Sequence, residues 1–154
     1  MKHPFLTKFA PDQADALSRL ATQIEFRSGE TIFRQREVAD GFYLIEKGEV
    51  NLEYEVPGRR KIEIQRIGPG ELLGLSWLFE PYRWEFSASA ISGGTAKFLP
   101  AVEVRKQCEQ DPKLGYKLME EVAKVLSQRL QATRHKLLVF VERASDDDDG
   151  RQVC

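Results

Sequence analysis

Two short stretches of the 154-residue chain carry the residue types that could do chemistry. The first is G-P-G-E-L-L-G, Gly68 to Gly74. Gly70 and Gly74 let the backbone turn tightly and come close to a ligand. A short helix starting near Leu73 would point unpaired N–H groups into the turn, a setting that suits phosphate. Glu71 beside that turn is an acceptor for a hydroxyl; its alternative role is to cap the turn. The second stretch is P-Y-R-W-E, Pro81 to Glu85. Arg83 facing the Gly70–Ser76 turn would make an anion site, with Glu85 turned out. Glu85 facing the turn would repel an anion by the same Coulomb attraction that makes arginine favourable. The same residues could pack instead as an aromatic corner, with Arg83 in a cation–π arrangement.

Little else points to catalysis or metal binding. The two histidines are His3, near an end expected to be floppy, and His135, on a predicted helix. No Ser/His/Asp or Cys/His arrangement is suggested, and the predicted strands carry no histidine for a metal cluster. Cys108 and Cys154 lie far apart, so neither a disulfide framework nor a zinc ligand set is expected. The expectation is no enzyme, no catalytic residue, no metal and no cofactor.

The stretches must be held by strands and helices. Pro11–Gln23 has helical spacing through Ala14, Leu17, Leu20 and Ala21, with Pro11 suited to a first turn. The period then falls to two. Strands are predicted around Ile24–Phe26, Thr31–Phe33, Phe42–Glu46, Val50–Val56, Ile62–Ile67, Phe86–Ile91 and Ala96–Leu99. Lys47-Gly48-Glu49, Pro57-Gly58-Arg59-Arg60 and Ser92-Gly93-Gly94 read as turns. Short strands at near-regular spacing argue for an antiparallel sandwich or barrel, with turns clustered at one end. Ala101–Asp111 reads as a short helix before Pro112. A long helix follows to about Arg143, with Leu118, Val122, Leu126, Leu130, Thr133, Leu137 and Phe140 on one stripe. Such a stripe packs on its own sandwich or pairs with its twin in a homodimer. Residues 1–10 are read as an extension, 11–143 as one domain and 144–154 as an acidic disordered tail.

Net charge is -1, from 23 Lys+Arg against 24 Asp+Glu, which leaves no footprint for bulk nucleic-acid binding. No apolar run approaches a membrane span, and no secretory signal is visible, so a cytoplasmic protein with free thiols is expected. No second domain and no helix-turn-helix is expected after the long helix.

Three segments in order resemble the cyclic-nucleotide-binding domain family, the sensor module of catabolite-activator-type regulators, over about residues 12–141. They are D-G-F-Y-L-I-E-K-G-E-V (Asp40 to Val50), I-G-P-G-E-L-L-G (Ile67 to Gly74) and Q-R-L-Q-A-T-R-H-K (Gln128 to Lys136). The resemblance implies a mainly β fold with flanking helices: an antiparallel β-jelly roll, or double-stranded β-helix, with an N-terminal helix and a long C-terminal one. It implies a ligand, cyclic AMP or cyclic GMP, between residues 70–89 and the C-terminal helix. Gly70, Glu71, Leu72, Leu73 and Gly74 would form the cassette, with Glu71 on the ribose. Thr133 would reach the purine, and Arg134 stands where the activators have a small hydroxyl residue. Anchoring on F-S-A-S-A, Phe86 to Ala90, puts Trp84 at the position of the family's phosphate-binding arginine, Glu85 beside it, and Arg83 one residue early. The segment after Glu71 is also a few residues longer than usual. The expected function is a regulatory sensor that signals to an effector protein. The alternative is a dimerisation scaffold without nucleotide, using Trp77, Phe79, Tyr82 and Trp84 as an exposed contact patch.

Overall fold

The alternating runs fold as antiparallel strands, because period-two patterning gives each strand one apolar face to bury. The computed structural model describes residues 2–58 and 60–152, with side chains as far as Asp146. The strands are β1 (Thr22–Phe26), β2 (Thr31–Phe33), β3 (Gly41–Lys47), β4 (Val50–Glu55), β5 (Lys61–Ile67), β6 (Leu72–Leu73), β7 (Ser87–Ala90) and β8 (Gly94–Pro100). They form two four-stranded sheets, in the orders β1-β8-β3-β6 and β2-β7-β4-β5. The helices are α1 (Pro11–Leu20), α2 (Ala101–Gln110) and α3 (Pro112–Gln152). This is the expected jelly roll with an N-terminal helix and a long C-terminal one.

Phe42, Leu44 and Ile45 of β3 are fully buried, as are Val50, Ile67, Leu73 and Leu99. A line of rings crosses this core: Trp84 on Phe33 at 3.7 Å, Phe33 to Tyr43 at 6.1 Å, and Tyr43 to Phe98 at 5.0 Å. Burial, with Asp40 nearby, pushes the Tyr43 phenol up to about 12, so it stays neutral.

Several expectations change. Helix α1 stops at Leu20 instead of Gln23, because Thr22 and Ile24 pair with Phe98 and Ala96 of β8. β-Branched side chains fit a pleated sheet better than a helix end. No helix starts near Leu73; Leu72 and Leu73 pair with Leu44 and Tyr43 of β3, and only a three-residue 3-10 turn follows at Ser76–Leu78. The N-terminal segment is docked: Phe5, Leu6 and Phe9 are 3%, 3% and 6% exposed, and His3 is buried with them. Helix α3 continues past Arg143 to Gln152 through the acidic run. No proline follows Pro112 and no glycine intervenes between Gly115 and Gly150, so the sequence offers no stop there. Cys154 and Arg59 lie outside the described residues.

The chain divides into two units, one ending at Lys117 and one starting at Leu118. The first holds both sheets with α1 and α2. The second is the body of α3, on which apolar side chains stand exposed from Leu126 onward, Leu130 at 70% and Phe140 at 71%.

Candidate functional site

Three amides of the Gly68–Gly74 turn are already engaged by the protein. Gly70 N–H donates to Ile45 O at 2.9 Å, Glu71 N–H to Gly68 O at 3.2 Å, and Gly68 N–H to Glu71 Oε2 at 2.9 Å. Glu71 is therefore an exposed cap on its own turn. Three of the amides that could have cradled an anion, those of Gly68, Gly70 and Glu71, are spent on the protein.

The chain passes from this turn to Trp84 through an aromatic corner. Trp77 is fully buried, stacks on Phe42 at 4.8 Å and donates its indole N–H to Gly74 O at 3.1 Å. Arg105 of α2 clasps the corner. Its Nη1 donates to Trp77 O at 2.6 Å, and its guanidinium lies 4.8 Å from the centre of the Tyr82 ring. The cation–π contact foreseen for Arg83 thus belongs to a residue more than twenty positions on. The contact patch foreseen at Trp77, Phe79, Tyr82 and Trp84 does not form, since both tryptophans are core, Tyr82 is half-buried and only Phe79 is exposed.

Tyr82–Trp84 runs beside Arg36–Ala39, with Tyr82 at φ +58° and one antiparallel bridge between Val38 and Arg83. Arg36 N–H donates to Trp84 O at 2.7 Å, Trp84 N–H to Glu37 O at 2.9 Å, and Ala39 N–H to Tyr82 O at 2.8 Å. Arg83 and Glu85 are both exposed, and Trp84 between them points inward at 4% exposure. The sequence posed Arg83 inward and Glu85 inward as opposites. Both lie at the surface on either side of the inward Trp84, so neither is inside. Arg83 donates through Nη1 to Arg36 O at 3.0 Å, and Glu85 N–H reaches Ser76 Oγ at 3.4 Å.

The indole of Trp84 occupies the space beneath the cassette. It lies almost parallel to Phe33, at an interplanar angle of 10°. Its Cζ3 and Cη2 stand 2.9 Å from where a Cβ on Gly74 would sit, and Gly74 has φ +102°. Glycine is required there twice, by its left-handed backbone and by the indole. Of the expected site residues, the structure brings together Gly70 to Gly74 and Trp84. Leu72 and Leu73 are core, and Arg83 and Glu85 are surface. Thr133 and Arg134 belong to the second unit, both exposed, with Thr133 Oγ1 donating to Arg129 O at 2.9 Å within the helix. Among the described residues no group of three or more His, Cys, Asp or Glu could hold a metal ion, and no described helix is long and apolar enough to cross a membrane.

Sequence reasoning missed His3. Its Nε2 lies 2.7 Å from Ile45 O, the carbonyl that also takes Gly70 N–H, while Nδ1 accepts Phe5 N–H at 3.1 Å. Nε2 is thus the protonated nitrogen. Burial lowers the pKa below 6.5, against the Ile45 bond and the Glu46 charge, which both raise it. A histidine buried neutral must charge when the chain unfolds in acid. The unfolded chain therefore takes up more protons as pH falls through about 6.5, and stability drops from there downward. Thermal melts from pH 8 to 5 should show this loss, and His3→Gln should flatten it. At pH 8 the same variant should cost about 1–3 kcal/mol in lost buried bonds. A wild-type melting profile unchanged by the substitution would remove His3 from this role.

Comparison with known proteins gives a consistent picture. A family model described as the cyclic nucleotide-binding domain matches residues 23–111. The CRP-like cAMP-activated global transcriptional regulator of Mycobacterium tuberculosis is 26% identical over 134 residues, which is 86% of this chain and 58% of that protein. This chain therefore spans little more than half of that relative. The crystal structure of the Thermus thermophilus catabolite activator protein aligns with a TM-score of 0.69 at 26% identity, covering 90% of this chain and 63% of that one. A cyclic nucleotide-binding domain from Methylobacillus flagellatus aligns with a TM-score of 0.80 at 18% identity, covering 89% and 80%, which speaks for the fold alone.

Proposed function

Because the chain belongs to the cyclic nucleotide-binding domain family, we propose that it is a non-enzymatic regulatory module whose cassette is closed to cyclic nucleotides. Its output passes through protein contacts: a homodimer along α3, and an effector protein in the cytoplasm. One observation carries this reading. Where a phosphate-binding arginine was expected, the indole of Trp84 lies buried against Phe33 and Gly74. A cyclic phosphate seated there would have to expel that indole, and Arg83, the cation nearest in sequence, is already engaged with Arg36 O on the surface. Glu71, the residue assigned to the ribose, is held by Gly68 N–H.

Titration with cyclic AMP and cyclic GMP tests the reading, followed by calorimetry and tryptophan fluorescence. No saturable heat and no shift in Trp84 emission are expected up to about 1 mM ligand. Saturable micromolar binding that Glu71→Ala abolishes would return the chain to the sensor reading. The homodimer is supported by the exposed stripe on α3, and its test is argued in the Discussion.

A further inference from the structure

A second site stands apart from the cassette. Beside the turn between β4 and β5 lies a cleft of about 410 Å³, lined among others by Arg34, Gln35, Arg36, Glu55, Gly58 and Lys61. That volume suits a small ligand. Three cations face one carboxylate, and the carboxylate is engaged: Glu55 Oε1 takes the Ser87 hydroxyl at 3.2 Å and lies 3.7 Å from Lys61 Nζ. Lys61 also lies 3.8 Å from Glu53 Oε2, so its charge is largely matched by the two glutamates. The two arginines give the cleft its net positive charge.

One donor of the cleft is oriented by its own bond, and the backbone that carries another is held in place. Gln35 accepts Glu55 N–H through Oε1 at 2.8 Å, and its own backbone N–H donates to Ser87 Oγ at 2.9 Å. With the amide oxygen committed, the amide nitrogen is left as the donor side of Gln35. Arg36 is held at φ +77°, a conformation that side-chain-bearing residues seldom adopt. Its backbone is pinned on both sides, N–H to Trp84 O and C=O to Arg83 Nη1. Arg36 is the third residue of a turn closed by Glu37 N–H on Arg34 O at 3.2 Å, which accounts for that conformation. The outward arginine of the aromatic corner thus gains a role, holding the backbone of the cleft's own arginine.

We propose that this cleft recognises a small phosphate monoester through the guanidinium groups of Arg34 and Arg36 and the amide nitrogen of Gln35. Paired guanidinium forks match the several acceptor oxygens of a phosphate. A cyclic phosphodiester, with two terminal oxygens instead of three, is the poorer partner.

The test uses the full chain with inorganic phosphate and with ribose 5-phosphate, read by calorimetry and by the arginine Nε–Hε NMR signals. Saturable binding with shifts of Arg34 and Arg36 is expected, at least tenfold weaker in Arg34→Ala and in Arg36→Ala, and unchanged in Arg27→Ala, an exposed arginine outside the cleft. Tighter binding of ribose 5-phosphate would mark a phosphorylated metabolite as the ligand, and equal binding would mark free phosphate. Absence of saturable binding of either probe, or wild-type affinity in either arginine variant, overturns the proposal. Failure here leaves the closed cassette untouched, since that reading is judged by cyclic nucleotides and Trp84 emission.

Discussion

Trp84→Ala is expected to lower unfolding stability by about 3–5 kcal/mol, the range for removing a buried large aromatic from a core. The side chain is 4% exposed and bridges β2 to the cassette, with its ring 3.7 Å from that of Phe33. Stacking adds about 0.5–1.5 kcal/mol to the burial. A surface aromatic patch would lose less than about 0.5 kcal/mol on the same change. Urea denaturation separates the two outcomes. The coupling to Gly74 gives a sharper check. Gly74→Ala suffers from φ +102° in either background, but its Cβ collides with the indole only in the wild type. The substitution should therefore cost at least about 1 kcal/mol more in the wild type than in Trp84→Ala. Equal costs would mean that the indole does not lie on Gly74.

The other large effect concerns assembly. Leu126, Leu130, Thr133, Leu137 and Phe140 recur at alternating steps of four and three along α3, the spacing of a coiled-coil seam. Among the described residues Leu130, Leu137 and Phe140 are 70%, 61% and 71% exposed, apolar surface that a seam would bury. In the proposed homodimer a second copy would supply the covering partner. Burying a leucine is worth about 1.5–3 kcal/mol, and a two-fold dimer buries each leucine twice. Leu130→Asp should then raise the dimer dissociation constant by roughly 10²–10⁴, and the double variant with Leu137→Asp should sediment as a monomer. A wild-type chain that is itself monomeric at ~100 µM would sink the dimer.

Local pattern decided a good deal of this molecule by itself. The eight-strand roll was legible apart from β6, because alternation with glycine turns leaves few ways to bury one face of each strand. Helices α1, α2 and α3 were legible from their apolar spacing. Leu72–Leu73 was not, since two leucines carry no period, and only the register against Tyr43 and Leu44 makes them a strand. The family was legible because its three segments lie at fixed separations along the chain. The contents of its pocket were not. The parity of Arg83, Trp84 and Glu85 could be read along the sequence, but which parity faces inward depends on Glu37 and Ala39, whose backbones pair with this segment from more than forty residues away. The fate of the Gly68–Gly74 amides likewise depends on Ile45, and that carbonyl on His3, a residue that sequence position alone consigned to a loose end. Period and composition fix which residues must be covered. Only the tertiary structure decides which side chain does the covering, because that choice rests on contacts between segments far apart in the chain.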